Sequence, residues 1–171
     1  MFKKAPFFLF ALFLSATISA QTAPKYGHMN LGNLLELLPD TKKADDDIKV
    51  FATKLSATDD SLGRSLQAAA GALQKEYDAG LLTPVQAQTR QAELQKQQEF
   101  IQKFEQDAQQ QVSAKREELL KPILTKVDEA IKAVAKENGY SMIFDTSTGA
   151  MLFANDTDDV TALVKVKLGI K

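Results

Sequence analysis

The sequence predicts an α+β protein in which a long antiparallel α-helical hairpin projects from a small β-strand body. Three observations carry this. Residues 40 to 79 and 84 to 121 are long, polar and marked by apolar residues at helical spacing. The turn Gly80-Leu81-Leu82-Thr83-Pro84 lies between them. Short strand-like runs sit at the two outer ends of the pair. Such a hairpin is too thin to bury a core alone, which points to reaching, holding or spanning rather than to catalysis. The expected division is a leader at 1–20, a body formed by 21–39 with 112–171, and an arm at 40–111 with its tip at 80–84.

The leader has the make-up of a cleaved signal peptide. Lys3 and Lys4 precede the apolar run Phe7 to Leu14, eight residues long, and Ile18-Ser19-Ala20 ends on a small residue before Gln21. A membrane anchor needs about 20 apolar residues, so the run is too short, and the mature chain is expected to be exported and soluble. Loss of two lysines leaves 19 basic and 22 acidic residues, a mature net charge of 19 − 22 = −3. Nonspecific nucleic-acid binding needs a cationic surface and is not expected. The chain has no cysteine, so stability must come from packing or from association with further copies.

The elements follow in order. Lys25 to Met29 reads as a strand, and Asn30 as the N-cap of a short helix bearing Leu31, Leu34, Leu35 and Leu38 on one face. Pro39 then opens the first long helix, where a missing first-turn amide costs nothing. Its seam is Ile48, Phe51, Leu55, Leu62, Leu66, Ala69, Leu73 and Tyr77, with Thr58 in the gap between Leu55 and Leu62. The step of eleven from Leu55 to Leu66 to Tyr77 departs from a strict heptad and predicts weak coiling. The Asp45-Asp46-Asp47 run reads as a solvated face near a helix N-terminus rather than as a cation site.

At the tip, Gly80 suits a left-handed residue after a helix end. Thr83, Pro84 and Gln86 supply an N-cap, a first-turn proline and the far half of a capping box. Eleven of the 26 residues from Gln86 to Gln111 are glutamine. A prion-like polar tract is the rival reading, but Leu94, Phe100, Ile101, Phe104, Ala108 and Val112 keep a helical seam through it. Phe100, beside Ile101, misses that seam and is a candidate for an exposed contact surface.

Pro122 interrupts the second long helix, where a kink and a hinge between arm and body are expected. Ile123, Val127, Ile131 and Val134 continue the stripe, and Asn138-Gly139 ends it. Tyr140 to Asp145 and Met151 to Ala154 read as two strands joined by a hairpin turn at Ser147-Thr148-Gly149. Asp156 or Thr157 is the expected cap of a last helix bearing Val160, Leu163, Val164, Val166 and Leu168.

Little here could carry catalysis. His28 is the sole histidine, and no motif marks partners for it. No phosphate loop, metal-ligand spacing or cofactor motif occurs, and Asp156, Asp158 and Asp159 fit a helix start better than a ligand cluster.

The pieces in this order resemble the Skp (OmpH) family of periplasmic chaperones. The carrying residues are Lys25-Tyr26-Gly27-His28-Met29-Asn30 through Leu38-Pro39, then Lys42-Lys43-Ala44, Leu120-Lys121-Pro122-Ile123, Ala130 to Ala135, and Glu137-Asn138-Gly139-Tyr140 with the closing hairpin. The resemblance spans essentially the whole mature chain. It implies a homotrimer whose helical arms surround a cavity and hold unfolded outer-membrane β-barrel proteins, without ATP, until membrane insertion. It places Tyr26, His28, Ile143, Phe144, Leu152 and Phe153 in the associating body, and Leu94, Phe100 and Phe104 on client-facing arms. Association itself follows from the small cysteine-free body, while the number of copies comes from the resemblance. One departure stands out. Family members are strongly basic, whereas residues 40–111 here hold 9 basic and 12 acidic residues, 9 − 12 = −3. Contact with lipopolysaccharide or anionic lipid through a basic patch is weakened accordingly, leaving room only for weak membrane-surface contact. The alternative is a structural coiled-coil spacer or adaptor of the cell envelope.

Overall fold

The computed structural model describes residues 23–170. The leader and its expected cleavage point lie outside the described residues. The order is β1 (Lys25–Met29), α1 (Leu31–Leu37), α2 (Pro39–Asp78), α3 (Pro84–Asn138), β2 (Tyr140–Asp145), a 3-10 turn at Asp156–Asp158, and α4 (Thr161–Leu168).

Local chemistry accounts for most boundaries. Asn30 Oδ1 accepts from Asn33 N at 2.9 Å and starts α1. Pro39 takes the first position of α2. Its 40 residues extend about 60 Å at 1.5 Å per residue. At the tip Gly80 is left-handed, with φ 69°. Gln86 N donates to Thr83 Oγ1 and Thr83 N donates back to Gln86 Oε1, the reciprocal capping box. Across the hairpin near this end, Arg90 pairs with Glu76 at 2.6 Å. Helix α3 runs 55 residues, continuing through Pro122, and ends on left-handed Gly139.

The core lies at the base of the hairpin. Met29, Leu34, Leu38 and Ala44 pack with Ile123, Val127, Ala130 and Val134 of α3 and with Val160 and Val164. The α3 stripe that begins after Pro122 is therefore what the body is built on. Farther out the seam is thinner: Leu73 is buried, but Phe51, Leu55, Leu62 and Leu66 are only half-buried and Tyr77 is exposed.

Strand pairing differs from the sequence expectation. β2 pairs with β1, in parallel, with Tyr26 opposite Met142, Gly27 opposite Ile143 and His28 opposite Phe144. A parallel pair needs a long crossover, and here the whole helical hairpin is that crossover. Ser147 and Thr148 do form a turn, with Gly149 at φ 71°, but the chain does not return along β2. Met151 to Ala154 is not a strand. It has extended-strand composition with no partner strand among the described residues. The last helix is corrected as well. Asp156 and Thr157 lie in the 3-10 turn, α4 starts at Thr161, and Asp159 Oδ1 accepts the Thr161 amide at 2.7 Å.

Candidate functional site

Two surfaces stand out: the outer face of the small sheet and the flanks of the arm. The sheet is two-faced because side chains alternate along a strand. Gly27, Met29 and Ile143 turn toward the core, while Tyr26, His28, Met142 and Phe144 turn away from it. Gly27 lies so close beneath Val160 that a Cβ there would stand 2.8 Å from Val160 Cγ1. The backbone of β1 is thereby pressed onto the core, and its outer residues are held at a fixed height.

On the outer face the Tyr26 and Phe144 rings lie 6.3 Å apart, tilted by 49°. His28 Nε2 is 2.9 Å from the Asn155 carbonyl oxygen, and Val160 N donates to His28 O at 2.9 Å. These bonds fold residues 155–160 back along β1 and leave Met151 to Ala154 beside the outer face. Tyr26, His28, Phe144 and Phe153 thus border one shallow pocket of about 260 Å³. Leu152 is 97 % exposed and Phe153 80 % exposed. Of the body residues singled out in the sequence, Tyr26, His28, Phe144 and Phe153 come together here. Ile143 packs on the opposite side, against the core. Met142 and Met151 belong to this end of the body and were missed; strand alternation from Phe144 was the signal that pointed to Met142.

Asp145 pins this surface to the body. Its Oδ1 accepts from Leu31 N at 3.1 Å and Ser147 N at 2.9 Å, and its Oδ2 accepts from Ser147 Oγ at 2.7 Å. Partial burial acts to raise its pKa, but the Ser147 amide and hydroxyl and the Leu31 amide outweigh that and hold the carboxyl below its ordinary range.

Along the arm, Phe100 is 57 % exposed, in keeping with its position off the seam. Leu94 and Phe104 are half-buried instead, each at the edge of a groove between α2 and α3. Leu81 and Val85 add exposed apolar surface at the tip. Among the described residues no cluster of histidine, cysteine, aspartate and glutamate is arranged to hold a metal ion, and no helix is long and apolar enough to cross a membrane.

A slender hairpin on a small body with an open apolar face is a distinctive layout. The family profile described as outer membrane protein (OmpH-like) matches residues 25–168, all of it. The chain belongs to the OmpH-like family. It is 27 % identical over 158 residues to the chaperone protein Skp of Pectobacterium atrosepticum, covering 88 % of this chain and 89 % of that one. It is likewise 27 % identical over 159 residues to Skp of Yersinia enterocolitica, with 88 % and 89 % covered. A crystal structure of an OmpH-like protein from Caulobacter crescentus superposes with a TM-score of 0.74 at 20 % identity, covering 86 % of this chain and 85 % of that one. This OmpH-like chain shares the fold of that structure, the long hairpin included.

Proposed function

We propose that this OmpH-like protein is an ATP-independent periplasmic holdase that binds unfolded outer-membrane β-barrel proteins and keeps them soluble for membrane insertion. The observation that carries the proposal is the hairpin itself, long, thinly packed and exposing Phe100, Leu81 and Val85 far from the core. Such a surface suits many weak contacts with an extended chain. It comes in a family whose relatives from Pectobacterium and Yersinia are named chaperones. Export is supported by the charged and apolar halves of residues 3–14.

The working unit is a homotrimer joined through the body. Support comes from Tyr26, Phe144, Leu152 and Phe153, large apolar side chains left exposed on the body, the kind of surface that marks an interaction site when such residues lie together. The strand-like Met151 to Ala154, unpartnered among the described residues, adds to this by offering backbone to a neighbouring copy. Arms brought together at one base act by effective concentration, so contacts weak in one arm sum across the assembly. Leu94, Phe100 and Phe104 are the proposed client contacts, and the function involves no catalytic step and no cofactor.

The test is aggregation of a denatured porin diluted out of denaturant with and without the mature protein. Suppression at near-stoichiometric trimer is expected. Unchanged aggregation across a wide ratio range overturns the function. A spacer or adaptor of the envelope would instead retain one folded partner and ignore the unfolded porin.

A further inference from the structure

Midway along the arm, α2 and α3 do not close on each other. The small side chains of Ala52, Ser56 and Ala108 leave a groove of about 540 Å³, walled by Leu55 and Phe104. Two carboxylates, Asp59 and Glu105, also line it, and no basic residue does. Asp59 stands four residues after Leu55 and three before Leu62, a seam position where the helical period calls for an apolar residue. Its Oδ1 is screened from solvent and has no hydrogen-bond partner in the protein. Neither Asp59 nor Glu105 joins an ion pair among the described residues.

A carboxylate oxygen withdrawn from water without a donor is unfavourable. A polar residue that breaks a packing pattern without compensation inside the fold is the mark of a functional position. From this geometry we infer that the mid-arm groove recognises a cationic side chain next to an apolar one in an unfolded client, an inference that rests on the chaperone function proposed above. The head group of an arginine or lysine meets Asp59 and Glu105, and its aliphatic stem and apolar neighbour lie against Leu55 and Phe104. Charge complementarity selects this occupant. A second copy of the arm carries the same 9 − 12 = −3 balance over residues 40–111 and is repelled, as is an anionic lipid surface. Client selection by this protein therefore favours segments in which basic and apolar residues alternate.

The experiment uses the full mature protein and two fluorescent, unstructured peptides of equal length and apolar content. One carries arginines and the other carries citrulline at the same positions. The arginine peptide is expected to bind more tightly. Asp59→Asn with Glu105→Gln is expected to weaken it roughly three- to tenfold while leaving the citrulline peptide unchanged. Asp45→Asn with Asp46→Asn, which removes the same charge outside the groove, is expected to leave both unchanged. In the unmodified protein, added salt should weaken only the arginine peptide, a readout that needs no variant. Equal binding of the two peptides, or an equal loss in the Asp45/Asp46 control, overturns the groove assignment while porin protection leaves the chaperone function standing. Loss of porin protection together with absence of peptide binding removes both.

Discussion

At the scale of single residues, Gly27 and Asp145 govern the body more than their chemistry suggests. Gly27→Ala drives a methyl into Val160, which is fully buried and cannot step aside. A loss of about 1–3 kcal/mol is expected in a denaturant titration, the usual cost of overpacking. Asp145 ties the end of β2 to the start of α1, and Asp145→Ala is expected to cost about 1 kcal/mol, as a lost capping side chain does. The sign of its pH dependence follows from the lowered folded-state pKa. The stabilisation is complete above the carboxyl's unfolded pKa and is lost as pH falls through the lower folded value. Stability curves of the wild type and Asp145→Ala should therefore converge in acid and separate toward neutrality. This role was not legible in the sequence, because Leu31 and Asp145 are 114 residues apart and meet only once β1 and β2 pair. The oddity of Asp59 was legible, since the seam period alone marks it, yet the gap was read at Thr58.

Among the elements, those decided by short-range chemistry were legible and those decided by distant partners were not. The tip needed only Gly80, Thr83, Pro84 and Gln86, and all of them sit as their residue types require. Gly80→Val places a β-branched residue at positive φ, costing about 1–2 kcal/mol. Hydrogen exchange should quicken around the tip while assembly mass, which the proposed trimer sets at the other end of the arm, stays unchanged. Strand β2 was read correctly, but its partner was not. The run Met151 to Ala154 has the composition of a strand, and nothing local reveals that it has no strand neighbour among the described residues. Pro122 illustrates a further limit. It deprives the Glu118 carbonyl of its helical donor, yet α3 continues through it as one helix, with Ile123 and Val127 just beyond it packed into the core. We propose Pro122 as the joint between arm and body. Pro122→Ala is expected to slow hydrogen exchange over residues 115 to 125, and unchanged exchange there would count against a joint.

For the molecule as a whole, architecture follows from where apolar area can be buried. The base of the hairpin supplies a core by folding β1, α1 and α4 against α3, and the outer arm supplies reach because its seam is thin. The hairpin and its base were legible from periodicity. The parallel pairing was not, since a strand before and a strand after a long crossover give no sign of direction. Leu152 and Phe153 are the most exposed of the large apolar side chains among the described residues, at 97 % and 80 %. Leu152→Asp with Phe153→Asp is expected to yield folded monomer, and helicity by circular dichroism with mass by sedimentation would report it. A trimer that survives both changes would place the interface elsewhere. The most direct test of the central claim, that copies associate at the base and together hold an unfolded chain, is light scattering on the mature protein with and without a denatured outer-membrane protein. A trimer alone, and a single soluble species of trimer plus client when mixed, is the predicted result. A mass unchanged by the client, with the client lost to aggregate, would contradict it.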